Sequence, residues 1–108
     1  KVLIHEKYKK VKQNKSLSYV LKNSDILTFH IPYNYETLNL FNAKKLKLIK
    51  DKTILINTSR GEIFDEKDLL KATKNKNLMG SYSIDLNHRS VIKSGPLILD
   101  WFFILATK

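Results

Sequence analysis

The residues best suited to binding or catalysis form a polar turn directly after an apolar strand. Residues 53–56 read as a buried strand, and the turn 57–61 that follows is Asn-Thr-Ser-Arg-Gly. Arg60 is one of two arginines among twenty basic residues. Its planar guanidinium suits two-point binding of a carboxylate, and open α/β sheets bind their ligands at such strand ends. The same five residues also fit an ordinary strand-to-loop turn, so both interpretations stay open.

Length and composition indicate one small folded domain. The chain has 108 residues, of which 43% are hydrophobic, enough to supply a core. It has no cysteine, so disulfides and thiolate metal sites are excluded and a cytoplasmic setting is expected. No apolar run approaches the roughly 18 residues that span a bilayer. The chain starts at Lys1 and its single methionine is Met79, so we expect a piece of a longer protein.

The net charge of +10 raises the question of an anionic partner. The lysines are scattered rather than gathered into one stripe, and two arginines provide little for reading base edges. We therefore expect neither a nucleic-acid nor a membrane partner. No two histidines have the spacing of metal ligands, so no metal site is predicted.

Apolar runs alternate with amphipathic stretches, which indicates a sheet with crossover helices. Strands are predicted at 2–4, 25–30, 53–56, 81–84 and 102–106. Helices are predicted at 17–23 after an N-cap at Ser16, within 37–50, and at 66–74 after an N-cap at Asp65. This order implies right-handed crossovers and an α/β fold with a parallel, doubly wound sheet. The residues that follow the strands then share one edge: Glu6, His30, 57–60 and Asp85.

Several short motifs occur in a specific order. They are Ser24-Asp25-Ile26-Leu27-Thr28-Phe29-His30-Ile31-Pro32 followed by Glu36-Thr37, then Ile56-Asn57-Thr58-Ser59-Arg60-Gly61 followed by Asp65-Glu66 and Leu69-Leu70, then Gly80 and Ile84-Asp85. In this order and spacing, the chain from Lys1 to about Asp85 resembles the nucleotide-binding domain of the D-isomer-specific 2-hydroxyacid dehydrogenases. The resemblance implies a partial Rossmann-like NAD-binding domain over residues 1–108, with NAD as cofactor and a small 2-hydroxy or 2-oxo acid as substrate.

The resemblance also implies which residues contact the cofactor: Glu6, Ile31, Pro32, Thr58, Ser59, Arg60 and Asp85. Glu6 stands where the family usually has aspartate, and an acid there would bind the adenosine ribose and favour NAD over NADP. Ile31 and Pro32 resemble the segment along the dinucleotide. Thr58 and Ser59 resemble the pair whose backbone approaches the nicotinamide.

At the nicotinamide end, the resemblance assigns one carboxylate and one catalytic residue. Asp85 would accept a hydrogen bond from the carboxamide, and Arg60 would orient the 2-oxo acid and polarise its carbonyl. Structural alternatives remain for three of the assigned residues: Glu6 as a surface glutamate, Pro32 as a strand terminator, and Asp85 as a turn or N-cap residue.

The chain also departs from the family pattern. The glycine-rich phosphate turn should precede the ribose acid by about 20 residues, which places it ahead of Lys1. Residues 86–91 contain no carboxylate to pair with a catalytic histidine, and no Thr-Pro-His turn follows the last strand. His88 lies too soon after Asp85 to replace that histidine. We therefore expect a dehydrogenase fragment that is inactive alone; the alternative is a non-catalytic nucleotide-binding or interaction module.

Absence of the first strand would also leave a gap in the sheet. In the doubly wound order that strand lies between the strands that end at Glu6 and begin at Asp25. Either these two strands pair with each other, or their unpaired edges favour association with a second copy as a homodimer.

Overall fold

The computed structural model describes residues 1–8, 10–76, 78, 81–83 and 105–107. These residues form one five-stranded sheet, three α-helices and one short 3-10 helix. The strands are β1 (Val2–Ile4), β2 (Ile26–Phe29), β3 (Ile54–Asn57), β4 (Ser81–Ser83) and β5 (Leu105–Thr107). The helices are α1 (Leu17–Asn23), α2 (Ala43–Leu46) and α3 (Glu66–Asn75), and the 3-10 helix is Gly61–Ile63.

Side-chain caps explain where the α-helices begin. The Ser16 hydroxyl accepts a hydrogen bond from the Tyr19 amide at 3.2 Å, and the Asp65 carboxylate accepts one from the Asp68 amide at 3.0 Å. Both predicted N-caps are confirmed. The predicted helix within 37–50 is reduced to the single turn α2, which begins after Asn42 and is preceded by hydrogen-bonded turns.

Parallel pairing brings the carboxyl ends of β2, β3 and β4 to one edge, as the predicted α/β class requires. Phe29 pairs with Asn57, and Asn57 pairs with Ser83, so the last residues of the three strands are aligned. The polar turn after β3 therefore lies beside the segment that leaves β2. The α/β fold class is confirmed.

The gap between β1 and β2 is filled by β5, which differs from both expected outcomes. The sheet order is β1-β5-β2-β3-β4, and β5 runs antiparallel to both neighbours. Ala106 pairs with Leu3 on one side and with Leu27 on the other. Two facing strand edges need backbone partners, and a strand of either direction can supply them. β1 and β2 consequently run in the same direction without pairing with each other.

An aromatic cluster anchors the end of β2. The rings of Phe29, Phe41 and Phe64 are buried, with centroids separated by 4.7 Å for the first pair and 5.0 Å for each pair with Phe64. Phe29 is also the last residue of β2. The packed core therefore fixes the backbone at the end of β2, next to the candidate site. No helix in the described part of the chain has the length and apolar character needed to cross a bilayer.

Candidate functional site

Ser59 ties the turn after β3 to the segment after β2. Its hydroxyl donates to the Phe29 carbonyl at 3.0 Å and accepts from the Ile31 amide at 2.7 Å. The Thr58 amide also donates to the Phe29 carbonyl, at 3.2 Å. Two segments that are 28 residues apart in sequence are thus held side by side. The structure thus brings Thr58 and Ser59 beside residues 29–31, at the common edge that was predicted.

Asn57 determines the shape of the turn that carries Arg60. Only 3% of Asn57 is exposed. Its Oδ1 accepts from the Ser59 amide at 2.9 Å, and its Nδ2 donates to the Arg60 carbonyl at 2.8 Å. The Ile63 amide donates to the same carbonyl, at 3.3 Å. From the sequence, Asn57 was identified only as a strand-end residue. Asparagine at a turn commonly accepts from the amide two residues ahead, and this preference is the local signal for its further role.

His30 is held between two threonine hydroxyls on neighbouring strand ends. Its Nδ1 lies 2.6 Å from Thr58 Oγ1, and its Nε2 lies 3.0 Å from Thr28 Oγ1. Burial lowers the pKa of His30 to about 4. The imidazole is therefore neutral at neutral pH, with one ring nitrogen donating and the other accepting.

This burial predicts a pH-dependent contribution to stability. Between pH 6.5 and about 4 the unfolded chain takes up a proton that folded His30 does not, so the contribution is full above pH 6.5 and is lost as the pH falls. We expect a His30 pKa below about 5 by NMR titration. His30→Gln removes the titrating group, so the free energy of unfolding should fall less between pH 7 and 4.5 than in the unmodified chain. We expect the difference to be only about 1 kcal/mol, because solvent screens a half-buried group. A measured pKa of about 6 or above would contradict the prediction.

Glu6 is fixed at the end of β1 by an amide clamp. Asn14 Nδ2 donates to the Glu6 carbonyl at 2.8 Å, and the Glu6 amide donates to Asn14 Oδ1 at the same distance. The Glu6 carboxylate accepts from the Tyr8 amide at 2.8 Å. The Lys15 amide donates to the Ile4 carbonyl, which extends the pairing beyond the strand. Sequence reasoning did not identify Asn14.

A cavity of about 700 Å³ opens at the carboxyl ends of β1 and β2. This volume is typical of small-molecule sites. Three of the predicted contact residues, Glu6, Ile31 and Pro32, line the cavity together. The residues Thr58, Ser59 and Arg60 lie at the neighbouring strand end and are not among its lining residues. Asp85 lies outside the described residues.

The cavity fits the adenosine half of a dinucleotide better than the pyrophosphate half. It joins the carboxylate of Glu6, a half-buried residue, to an apolar wall that includes Val11, Ile31 and Leu40. That combination suits ribose hydroxyls beside a flat base. Among the described residues, Gly61 is the only glycine, and it begins the 3-10 helix, so they form no glycine-rich nest for the pyrophosphate. The described residues also contain no cluster of three or more metal-ligating side chains.

Comparison with known proteins identifies a protein family with this arrangement. Residues 1–99 match the family described as D-isomer specific 2-hydroxyacid dehydrogenase, NAD binding domain. Among curated relatives, the chain is similar to a glycerate dehydrogenase from Methylorubrum extorquens, with 37% identity over 84 residues, covering 78% of this chain and 26% of the relative. It is also similar to a glyoxylate reductase from Thermococcus litoralis, with 47% identity over 55 residues, covering 51% of this chain and 17% of the relative.

Solved structures give the same result. The D-lactate dehydrogenase from Aquifex aeolicus complexed with NAD and lactic acid is 37% identical, with a TM-score of 0.58 over 60% of this chain and 20% of that chain. The NAD-dependent formate dehydrogenase from Staphylococcus aureus in complex with NAD is 34% identical, with a TM-score of 0.56 over 63% of this chain and 21% of that chain. The chain therefore spans about a quarter or less of each of these four proteins.

Proposed function

Because the chain belongs to the D-isomer specific 2-hydroxyacid dehydrogenase family, we propose that residues 1–108 form part of the NAD-binding domain of a cytoplasmic enzyme that interconverts a D-2-hydroxy acid and a 2-oxo acid. One observation supports this proposal most strongly: Glu6, Ile31 and Pro32, from two separate strand ends, line the same cavity. The resemblance assigns Glu6 to the adenosine ribose and Ile31 and Pro32 to the segment along the dinucleotide.

At the adenosine end, Glu6 would accept hydrogen bonds from the ribose hydroxyls. The clamp by Asn14 holds the Glu6 backbone, and the Tyr8 amide donates to the carboxylate itself. Ile31 and Pro32 would contact the dinucleotide along the opposite wall. Residues 1–108 alone should bind NAD only weakly, since no glycine-rich turn in this sequence can hold the charged pyrophosphate.

At the other end, Arg60 would bind the substrate. The bound nicotinamide would supply the hydride as NADH or accept it as NAD⁺. The Arg60 guanidinium would pair with the carboxylate of the 2-oxo acid and stabilise negative charge that develops on the carbonyl oxygen. The backbone of Thr58 and Ser59 would approach the nicotinamide, and Asp85 would accept a hydrogen bond from its carboxamide.

The second candidate function is a non-catalytic nucleotide-binding or interaction module that keeps this fold. Residues 86–91 contain no carboxylate to support a catalytic histidine, which favours this alternative for the chain alone. In either case we propose no nucleic-acid partner, while association with a second copy as a homodimer stays a prediction. Flanking coding sequence with a glycine-rich turn upstream and a Thr-Pro-His turn downstream would favour the dehydrogenase.

Titration of the ¹⁵N-labelled chain with NAD tests the proposed cofactor site. We expect amide shifts at Glu6 and Ile31 with an affinity weaker than micromolar. Glu6→Gln should weaken binding by about tenfold to a hundredfold, because a hydrogen bond to a charged group contributes roughly 1.5–3 kcal/mol. Glu66→Gln, which removes an exposed carboxylate from α3, is the matched control and should leave binding unchanged. No shift of cavity residues at millimolar NAD would contradict the proposal.

A further inference from the structure

Lys7, Tyr8 and Glu36 form a charged cluster on the wall of the cavity. Lys7 Nζ lies 3.0 Å from Glu36 Oε2, and the Tyr8 hydroxyl donates to the same oxygen at 3.0 Å. The Lys7 ammonium also lies 5.1 Å from the centroid of the Tyr8 ring, within the range of a cation–π contact. All three residues line the same cavity as Glu6. The ammonium is thus held by a carboxylate and an aromatic ring.

The position of Lys7 gives this cluster a potential role in cofactor choice. Lys7 directly follows Glu6, the proposed ribose acid. NADP carries a phosphate on the 2′ oxygen that such an acid contacts, and a basic side chain nearby is what accommodates that phosphate in dinucleotide-binding folds. Lys7 therefore has the charge and the location to bind a 2′-phosphate. Its ammonium, however, is already paired with Glu36.

Glu36 opposes such binding in two ways. Its carboxylate pairs with Lys7, and it places a second negative charge beside that of Glu6 on the cavity wall. The hydrogen bond from Lys7 lowers the pKa of Glu36, and the hydrogen bond to Glu36 raises the pKa of Lys7. Both groups are therefore charged at neutral pH. With Glu36 present, the three charges sum to one net negative charge; without it, they cancel.

We propose that Glu36 determines the preference against a 2′-phosphorylated cofactor by holding the Lys7 ammonium and adding its own charge to that of Glu6. This inference rests on the proposed function, since it takes the cavity as the adenosine site. It makes Glu36 a specificity-determining residue that needs no direct contact with NAD itself.

Binding of adenosine and adenosine 2′-monophosphate to the ¹⁵N-labelled 108-residue chain tests the inference. In the unmodified chain both ligands should shift the Glu6 and Ile31 amides, with the phosphorylated ligand binding more weakly. Glu36→Gln should raise the affinity for adenosine 2′-monophosphate by about fivefold to tenfold at low salt, and leave that for adenosine within about a factor of two. The gain should shrink in about 0.5 M NaCl, because salt screens exposed charges.

Two further variants test whether the gain in affinity comes from the Lys7–Glu36 pair or from the loss of any negative charge. Glu62→Gln removes the same charge from an exposed residue that does not line the cavity, so it should give little or no gain. Adding Lys7→Gln to Glu36→Gln should remove most of the gain. A gain that is equal in Glu62→Gln, or that persists without Lys7, would overturn the inference.

The result for adenosine separates this inference from the proposed function. If adenosine shifts the cavity residues but Glu36→Gln leaves the ratio of the two affinities unchanged, the inference fails and the adenosine site stands. If neither ligand shifts those residues in the unmodified chain, the adenosine site and the inference built on it both fail.

Discussion

Replacing Arg60 by lysine should lower kcat/KM for a 2-oxo acid by about 10²–10³-fold in an active chimera that joins residues 1–108 to the remaining segments of a related dehydrogenase. Lysine keeps the positive charge but offers a point contact in place of the planar two-point fork. The backbone of Arg60 is fixed by donors from Asn57 and Ile63, so the substitution changes the head group on an unchanged support. NADH oxidation with a panel of 2-oxo acids measures the effect.

Chemical rescue distinguishes substrate binding by Arg60 from a structural role. In Arg60→Ala, added guanidinium ion should restore part of the lost activity, which it could not do if the substitution only disturbed the structure. If Arg60→Lys retains nearly full activity, the assignment of Arg60 as the substrate-binding residue is wrong.

The same assay on residues 1–108 alone should give no measurable turnover. Arg60 would supply binding and charge stabilisation, but carbonyl reduction also needs a proton donor at the new alkoxide, and general acid catalysis is typically worth ~10²–10⁴-fold. Clear activity from the unextended chain would mean that other residues carry the chemistry.

Local sequence signals predicted the elements of the fold well. Ser16 and Asp65 mark the starts of α1 and α3 because capping depends on a side chain and an amide only three residues away. The end of β2 was predicted at His30 and lies one residue earlier, at Phe29. Signals of this kind require no knowledge of the rest of the chain.

Longer-range relations were predicted less well. The pattern of residues 102–106 indicates a strand but carries no information about its direction or neighbours, and β5 proves to be antiparallel and to fill the gap beside β1. The helix predicted within 37–50 is only one turn long, because Phe41 instead pairs with Phe64 and joins the aromatic cluster. Tertiary packing overrides helix propensity there.

The candidate site shows the same division between local and distant information. The alternation of strands with helices is enough to predict that Glu6, Ile31 and Ser59 share one edge of the sheet, and the structure places them there. The pairs that position these residues were not visible in the sequence, since Asn14 reaches Glu6 across 8 residues and Glu36 reaches Lys7 across 29. A lysine or asparagine in a polar segment has many equally plausible partners until the fold selects one.

Replacing Asn57 by alanine should lower the free energy of unfolding by about 2–4 kcal/mol, because the Ser59 amide and the Arg60 carbonyl would each lose a partner in a largely enclosed turn. Urea unfolding of the 108-residue chain measures this loss. Asn34→Ala is the matched control: Asn34 makes the same kind of turn, accepting from the Glu36 and Thr37 amides, but it is half-buried, so solvent can replace its bonds. We expect a loss of about 1 kcal/mol or less there.

Asn57→Asp separates the two hydrogen bonds that Asn57 makes. Aspartate still accepts from the Ser59 amide, but its carboxylate has no proton to donate to the Arg60 carbonyl, and it places a charge where the side chain is almost fully buried. We therefore expect a loss at least as large as in Asn57→Ala at pH 7, and a smaller one near pH 4 as the carboxyl takes up a proton and regains a donor. If Asn57→Asp is as stable as the unmodified chain, the bond to Arg60 contributes nothing, and the turn that presents the arginine must be held by the Ser59 contacts to β2 instead.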